Sequence, residues 1–269
     1  MPAGATTATG RVARERAERA TAPVAIDLLV IQPTPFCNID CRYCYLPARD
    51  DRSMLSMSTL RNLFRNVFAS GWAGPALDVV WHAGEPMTLP VAFYRAAFRA
   101  IDELTPVGLT VMHAMQTNAT LISEEWCDFL LAEDVAVGVS IDGPQRFHDA
   151  QRVTRSGRGT FDRTISGLRT LRRHGVPFHV ITVLTEDSMR CPDEMFDFMT
   201  AEGIRDIGFN VEESEGSHVS PVLAAVGIEE LYETFMREFW RLAAGSPGPP
   251  IAIREINTAL EMLLTPRNA

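Results

Sequence analysis

The sequence predicts an α/β fold: an open, partial (β/α)6 barrel of the TIM type with parallel strands. Two observations carry this expectation. Short apolar runs rich in β-branched residues alternate with longer stretches of helical periodicity, six times over. A closed eight-unit barrel takes roughly 250 residues, and the 269 residues here supply about six units once the ends are set aside. Strand followed by helix, repeated, implies parallel strands joined by right-handed crossovers.

The elements follow in order. Residues 1–24 are rich in Ala, Thr and Arg and lack the apolar stretch of a secretory signal, so they read as a disordered tail. Ala25 to Ile31 is the first strand. Ser58 to Ser70 places Leu60, Leu63, Phe64, Val67 and Phe68 at helical spacing, with Ser58 as its N-cap. Leu77 to Trp81 and Val91 to Leu104 form the second pair, Leu109 to Met115 and Glu124 to Ala132 the third. Val135 to Ile141 with Phe161 to His174, and Phe178 to Leu184 with Asp193 to Glu202, continue the series. Asp206 to Val211 and Ile228 to Ala243 close it, so the barrel spans 25–244. Gly245 to Pro250 reads as a linker, and Arg254 to Leu264 as a last helix at the start of a truncated extension, 245–269.

Composition narrows the function. The formal net charge of −9 argues against a nucleic-acid partner, which needs a basic face. No apolar run reaches membrane-spanning length. Without a signal, a cytoplasmic location is expected, where thiols stay reduced and five cysteines point to metal or catalysis before disulfides.

In open α/β sheets the active site lies beyond the carboxyl ends of the strands. Just after the first strand comes Cys37-Asn38-Ile39-Asp40-Cys41-Arg42-Tyr43-Cys44. Three thiolates on one loop can hold three irons of a four-iron cluster and leave the fourth iron open. The alternative is a structural zinc site with a distant fourth ligand. Cys127 and Cys191, the remaining cysteines, sit in helical patterns among apolar residues and read as buried core thiols.

The C-x3-C-x2-C spacing, with an aromatic before the last cysteine, resembles the signature of the radical S-adenosylmethionine (radical SAM) superfamily. The flanking Gln32 to Phe36 and Cys44 to Pro47 resemble its peptide-modifying, SPASM-type maturase branch. The sequence is most similar there to maturases that form cyclophane cross-links in precursor peptides, and anaerobic sulfatase maturases are close relatives. The resemblance covers about Ile26 to Leu242.

It implies a 4Fe-4S cluster on Cys37, Cys41 and Cys44, with S-adenosylmethionine as cofactor and Tyr43 beside it. His82-Ala83-Gly84-Glu85 then resembles the family's Gly-Gly-Glu-Pro edge, which holds the cofactor's amino group, with Ala83 in the first glycine position. Only a backbone carbonyl is needed there, so Ala for Gly reads as a mild departure. His82 would touch the ribose or line the pocket. Gln116-Thr117-Asn118 matches a triplet that the family carries near the site; its side chains either bond the strand-end backbone or orient a metal site. Ser140 and Arg152 match the residues that hold the cofactor carboxylate, Asp142 would accept from the ribose hydroxyls, and Asn210 and Glu212 would line the pocket. The implied chemistry is reductive cleavage of S-adenosylmethionine to a 5′-deoxyadenosyl radical. The implied product is a carbon–carbon cross-link in a ribosomally made precursor peptide, with an electron donor such as flavodoxin or ferredoxin as second partner. Formylglycine formation on a sulfatase and a truncated, non-catalytic cluster-binding module stand as alternatives. The relatives' cysteine-rich C-terminal extension has no counterpart in this sequence, so slow cofactor cleavage without efficient cross-linking is expected.

Overall fold

The computed structural model describes residues 25–214, 218–220 and 227–264. The predicted tail over 1–24, the last residues 265–269 and Glu215 lie outside them. Among the described residues, seven strands form one sheet in sequential order, every neighbouring pair parallel: β1 (Ile26–Ile31), β2 (Ala73–Trp81), β3 (Thr110–Thr117), β4 (Ala136–Ser140), β5 (Phe178–Leu184), β6 (Asp206–Val211) and β7 (Ala252–Ile253). The helices between them are α1 (Met57–Ala69), α2 (Val91–Asp102), α3 (Glu124–Ala132), α4 (Gln145–Gln151), α5 (Phe161–Arg173), α6 (Glu186–Met189), α7 (Pro192–Ala201), α8 (Ile228–Gly245) and α9 (Arg254–Leu264).

The open parallel sheet matches the predicted class and carries one strand more than predicted. Ala252 and Ile253 pair with Asp206 and Ile207. The Ala252 amide donates to the Arg205 carbonyl at 2.8 Å, and Ile253 is buried. A two-residue strand beside Pro249 and Pro250 is too short to show a period, so the sequence reads there as a linker. The N-cap of α1 is Ser56 rather than Ser58: its hydroxyl accepts from the Thr59 amide at 3.0 Å.

Alternation sorts the two faces of the sheet. Leu77, Val79 and Trp81 on β2 are fully buried under the helices. Trp81 stands edge-on to Tyr94 at 5.3 Å and is stacked with Phe98 at 5.9 Å, both on α2. Leu28, Val30 and Met112, of opposite parity, remain exposed on the other face. Because all strands run one way, the ends of β1 to β6 lie along one edge, and every motif singled out in the sequence falls on that edge.

Candidate functional site

The cysteine loop leaves β1 and is clamped by the chain that follows β4. The Asp40 amide donates to the Val153 carbonyl at 2.7 Å, and the Arg42 amide to Gln151 at 2.9 Å. Arg155 donates to the carbonyls of Cys37 and Arg49 at 2.7 and 2.6 Å. Cys37, Cys41 and Cys44 are free, partly buried thiols. Burial, then the nearby Glu85 charge, pushes the Cys37 thiol up to about 12. Burial pushes Cys41 up to about 11 against the pull of Arg152. Among the described residues, no three His, Cys, Asp or Glu side chains gather as ligands of a single metal ion. Three thiols on one loop are the donor type that iron–sulfur clusters take, one iron to each thiolate. Cys127 is buried as predicted, whereas Cys191 is not a core thiol: it is half-buried at the start of α7, with Arg146 Nη2 3.3 Å from its sulfur.

The second strand end folds against this loop. Ala83 and Gly84 both adopt left-handed backbone, φ +69° and +63°. A Cβ on Gly84 would lie 2.4 Å from the Thr34 carbonyl oxygen and 2.7 Å from that of Phe36, so only glycine lets the loop approach. Ala83 is therefore a sterically strained departure rather than a mild one: its backbone needs the conformation that glycine adopts freely. The Glu85 carboxylate is buried and accepts from the Met87 amide (3.0 Å), the Thr117 hydroxyl (2.7 Å) and the Asn118 amide (2.8 Å). Burial raises its pKa although all three bonds favour the anion. His82 is half-buried beside this turn, its amide bonded to Ile31 at 3.0 Å, and burial lowers its pKa.

The fourth strand end holds a second buried carboxylate. Asp142 accepts from the Tyr43 hydroxyl at 2.6 Å and the Val183 amide at 3.1 Å, and Arg152 Nε lies 3.0 Å from its Oδ2. Contact to Arg152 Nε is that of an ion pair without hydrogen-bond alignment. Burial alone would lower the Arg152 pKa; Asp142, Tyr43 and Cys41 more than offset this and keep it raised. Its guanidinium also stands 5.5 Å from the Tyr43 ring centre. Asp142 is thus turned inward, with both oxygens engaged within the chain. Ser140 is half-buried and accepts from Gln116 Nε2 at 2.8 Å.

Three comparisons bear on this rim. The family model of the radical SAM superfamily matches residues 31–199, more than half of the chain. The chain belongs to the radical SAM superfamily. With that membership come a 4Fe-4S cluster and S-adenosylmethionine as cofactors. It is 37% identical over 243 residues to an uncharacterised protein of Synechocystis, covering 89% of this chain and 61% of that one. It is 32% identical over 185 residues to the serine-type anaerobic sulfatase-maturating enzyme of Bacteroides thetaiotaomicron, covering 66% of this chain and 44% of that one. The chain therefore spans roughly half the length of these relatives. Its fold is similar to that of anSMEcpe, solved with bound AdoMet and the Cp18Cys peptide. The TM-score is 0.78 at 21% identity, covering 90% of this chain and 66% of that one.

Within this radical SAM sheet the predicted residues fall into groups. Cys37, Glu85, Thr117 and Asn118 meet at the ends of β1 to β3; Cys41, Tyr43, Asp142 and Arg152 meet at β4. Asn210 is not brought to either group. It is exposed on β6 and accepts from Arg254 at 2.7 Å. Glu212 is buried, with His218 Nε2 2.8 Å from its carboxylate. A cleft of about 340 Å³ between α6 and α8 contains none of the predicted residues.

Sequence patterning assigns no role to His148 or Thr160. His148 Nδ1 accepts from the Asp142 amide at 3.4 Å, so Nε2 carries the proton and donates to Thr160 Oγ1 at 3.1 Å. Thr160 in turn donates to the Arg152 carbonyl at 2.8 Å. His148 stands seven residues beyond the predicted strand end at Ile141, and only the fold brings it beneath Asp142.

Proposed function

We propose that Cys37, Cys41 and Cys44 hold the 4Fe-4S cluster, and that the turn at Ala83, Gly84 and Glu85, together with Tyr43, His82, Ser140 and Arg152, binds S-adenosylmethionine. One observation carries the reading. Glu85 is a buried charge whose hydrogen bonds come from neutral groups only, directly behind a loop of three thiols. Such a rim favours a cationic ligand, and the cofactor brings an ammonium and a sulfonium. When both cofactors are bound, they supply one-electron cleavage of the sulfonium and the 5′-deoxyadenosyl radical that removes a hydrogen atom from the substrate. The residues named here position the cofactor and exclude water.

The substrate of this reading is a ribosomally made precursor peptide, joined carbon to carbon as a cyclophane, with a flavodoxin or ferredoxin as electron donor and the cytoplasm as the setting. The similarity to a serine-type sulfatase-maturating enzyme favours a second reading, formylglycine formation. Both reactions remove two hydrogens from the peptide, so mass alone does not separate them. Anaerobic reconstitution should give about four irons per chain, and Cys41→Ala should lose them while circular dichroism keeps the wild-type spectrum. Stoichiometric zinc without sulfide sinks the assignment. Candidate peptides are then incubated with the loaded protein: an aldehyde trapped by hydrazide identifies formylglycine, and a hydrazide-silent product that resists backbone fragmentation identifies the cross-link.

A further inference from the structure

Asn118 follows β3 directly, and every polar atom it carries is engaged. Its amide donates to Glu85 Oε2 at 2.8 Å, and its carbonyl accepts from Thr164 Oγ1 at 3.1 Å. The side-chain Oδ1 accepts from the Thr120 amide at 3.0 Å and the Thr120 hydroxyl at 2.7 Å. A backbone amide can only donate, so the oxygen must face Thr120 and the NH2 must face the other way. There it donates to Asn38 Oδ1 at 2.9 Å and reaches Cys37 Sγ at 3.9 Å. Asn38 Nδ2 returns to Thr120 Oγ1 at 2.7 Å and closes the ring.

The turn beneath is equally fixed. Ala119 is buried with φ +59°, and a Cβ on Gly167 of α5 would sit 2.0 Å from the Ala119 carbonyl oxygen. The amide is thus turned toward one sulfur by a side chain whose oxygen is held by Thr120.

We infer that Asn118 is a positioning residue whose amide donates an N–H···S hydrogen bond to Cys37 and thereby sets the reduction potential of the cluster. This rests on the assignment of the three cysteines as ligands. A donor to a ligand sulfur stabilises the electron-rich, reduced form, so hydrogen bonds to sulfur raise a cluster's potential. The same residue bonds Glu85, so the turn facing the cofactor and the Cys37 ligand share one anchor.

The test compares wild type, Asn118→Leu and Asn118→Asp after anaerobic reconstitution. Leu removes the donor without adding charge; Asp keeps the oxygen that Thr120 needs and replaces the donor by an acceptor. Iron content is measured first, then the midpoint potential by titration followed with electron paramagnetic resonance. The reduced cluster is next examined for a coupled proton that exchanges in deuterium oxide. The expected result is wild-type iron content in both variants, a lower potential in Leu, a lower one still in Asp, and loss of the exchangeable coupling in both. A fully loaded Asn118→Leu with the wild-type potential, or with the coupling retained, overturns the inference. Should Leu fail to fold, the Asp variant decides by the same two readouts. Loss of iron from both variants also overturns it, because a tuning donor is not needed for assembly. Absence of iron from the wild type instead removes the ligand assignment on which the inference stands.

Discussion

Glu85 and Asp142 are two buried carboxylates on the same sheet edge, and the protein treats them differently. Asp142 has its counter-charge built in: Arg152 beside it, Tyr43 and a backbone amide completing its bonds. Glu85 is met by two amides and a hydroxyl, and Arg152 acts on it only as the weakest of the influences on its pKa. An ion pair closed within the chain is structural. A buried carboxylate met only by neutral donors is the group that the proposed reading sets against the cofactor's ammonium. On that reading the rim divides into a self-sufficient half at β4 and a half at β2 and β3 that receives a cation.

The largest effect that sharpens this contrast is expected from Asp142→Ala. Removing one partner of a buried pair leaves Arg152 charged and unanswered, a loss of about 3–5 kcal/mol in unfolding free energy. Glu85→Gln keeps shape but turns one donor toward another, a loss of about 1–3 kcal/mol. Urea unfolding of the cluster-free proteins measures both. If Glu85→Gln were the more damaging, the division into closed and open halves would be wrong.

Much of this was readable beforehand, for physical reasons. The cysteine spacing is local, so the loop that carries it needed no fold to be recognised. β5 and β6 have the predicted bounds because each is a short β-branched run closed by a turn. What escaped depends on long-range contact or on backbone conformation. Tyr43 and Asp142 are 99 residues apart, and Asn118 and Asn38 are 80 apart; no periodicity announces either pair. The left-handed conformation of Ala83 is invisible in its residue type, because alanine seldom adopts it. Asn210 was placed by its position at a strand end, yet Arg254, the first residue of the helix that follows the unforeseen seventh strand, donates to it.

The two halves should also respond oppositely to pH. His148 is held neutral, its pKa lowered to about 3 by burial and by Arg152. Unfolded, it takes a proton near 6.5. Between those values the unfolded chain binds more protons, so the stability that His148 contributes falls as pH falls below 6.5. Glu85 has a raised pKa, and burial is the main cause. There the folded chain binds more protons, so its share of stability falls as pH rises through 4.5 and beyond. At pH 5 the His148 share amounts to about 2 kcal/mol, at 1.36 kcal/mol per pKa unit. His148→Gln keeps an acceptor for Asp142 and a donor for Thr160 without titrating. Its unfolding free energy should therefore drop about 2 kcal/mol less than that of wild type between pH 7 and pH 5. Parallel losses would place the acid sensitivity elsewhere.

The smallest effect tests the strained turn on the open side. Ala83 at φ +69° carries a penalty of roughly 1–2 kcal/mol that glycine does not. Glycine also loses more backbone entropy on folding, by about 0.4–1 kcal/mol. Ala83→Gly should therefore stabilise the cluster-free protein by about 1.5 kcal/mol at most, seen as a higher urea midpoint at unchanged slope. It should leave Glu85 undisturbed, because the carboxylate is fixed by Met87, Thr117 and Asn118 rather than by the side chain at 83. Affinity for S-adenosylmethionine should then stay within about twofold of wild type, since the carbonyl at 83 remains in place. A stabilised variant with a clear loss of affinity would mean that the alanine side chain itself shapes the open half of the rim.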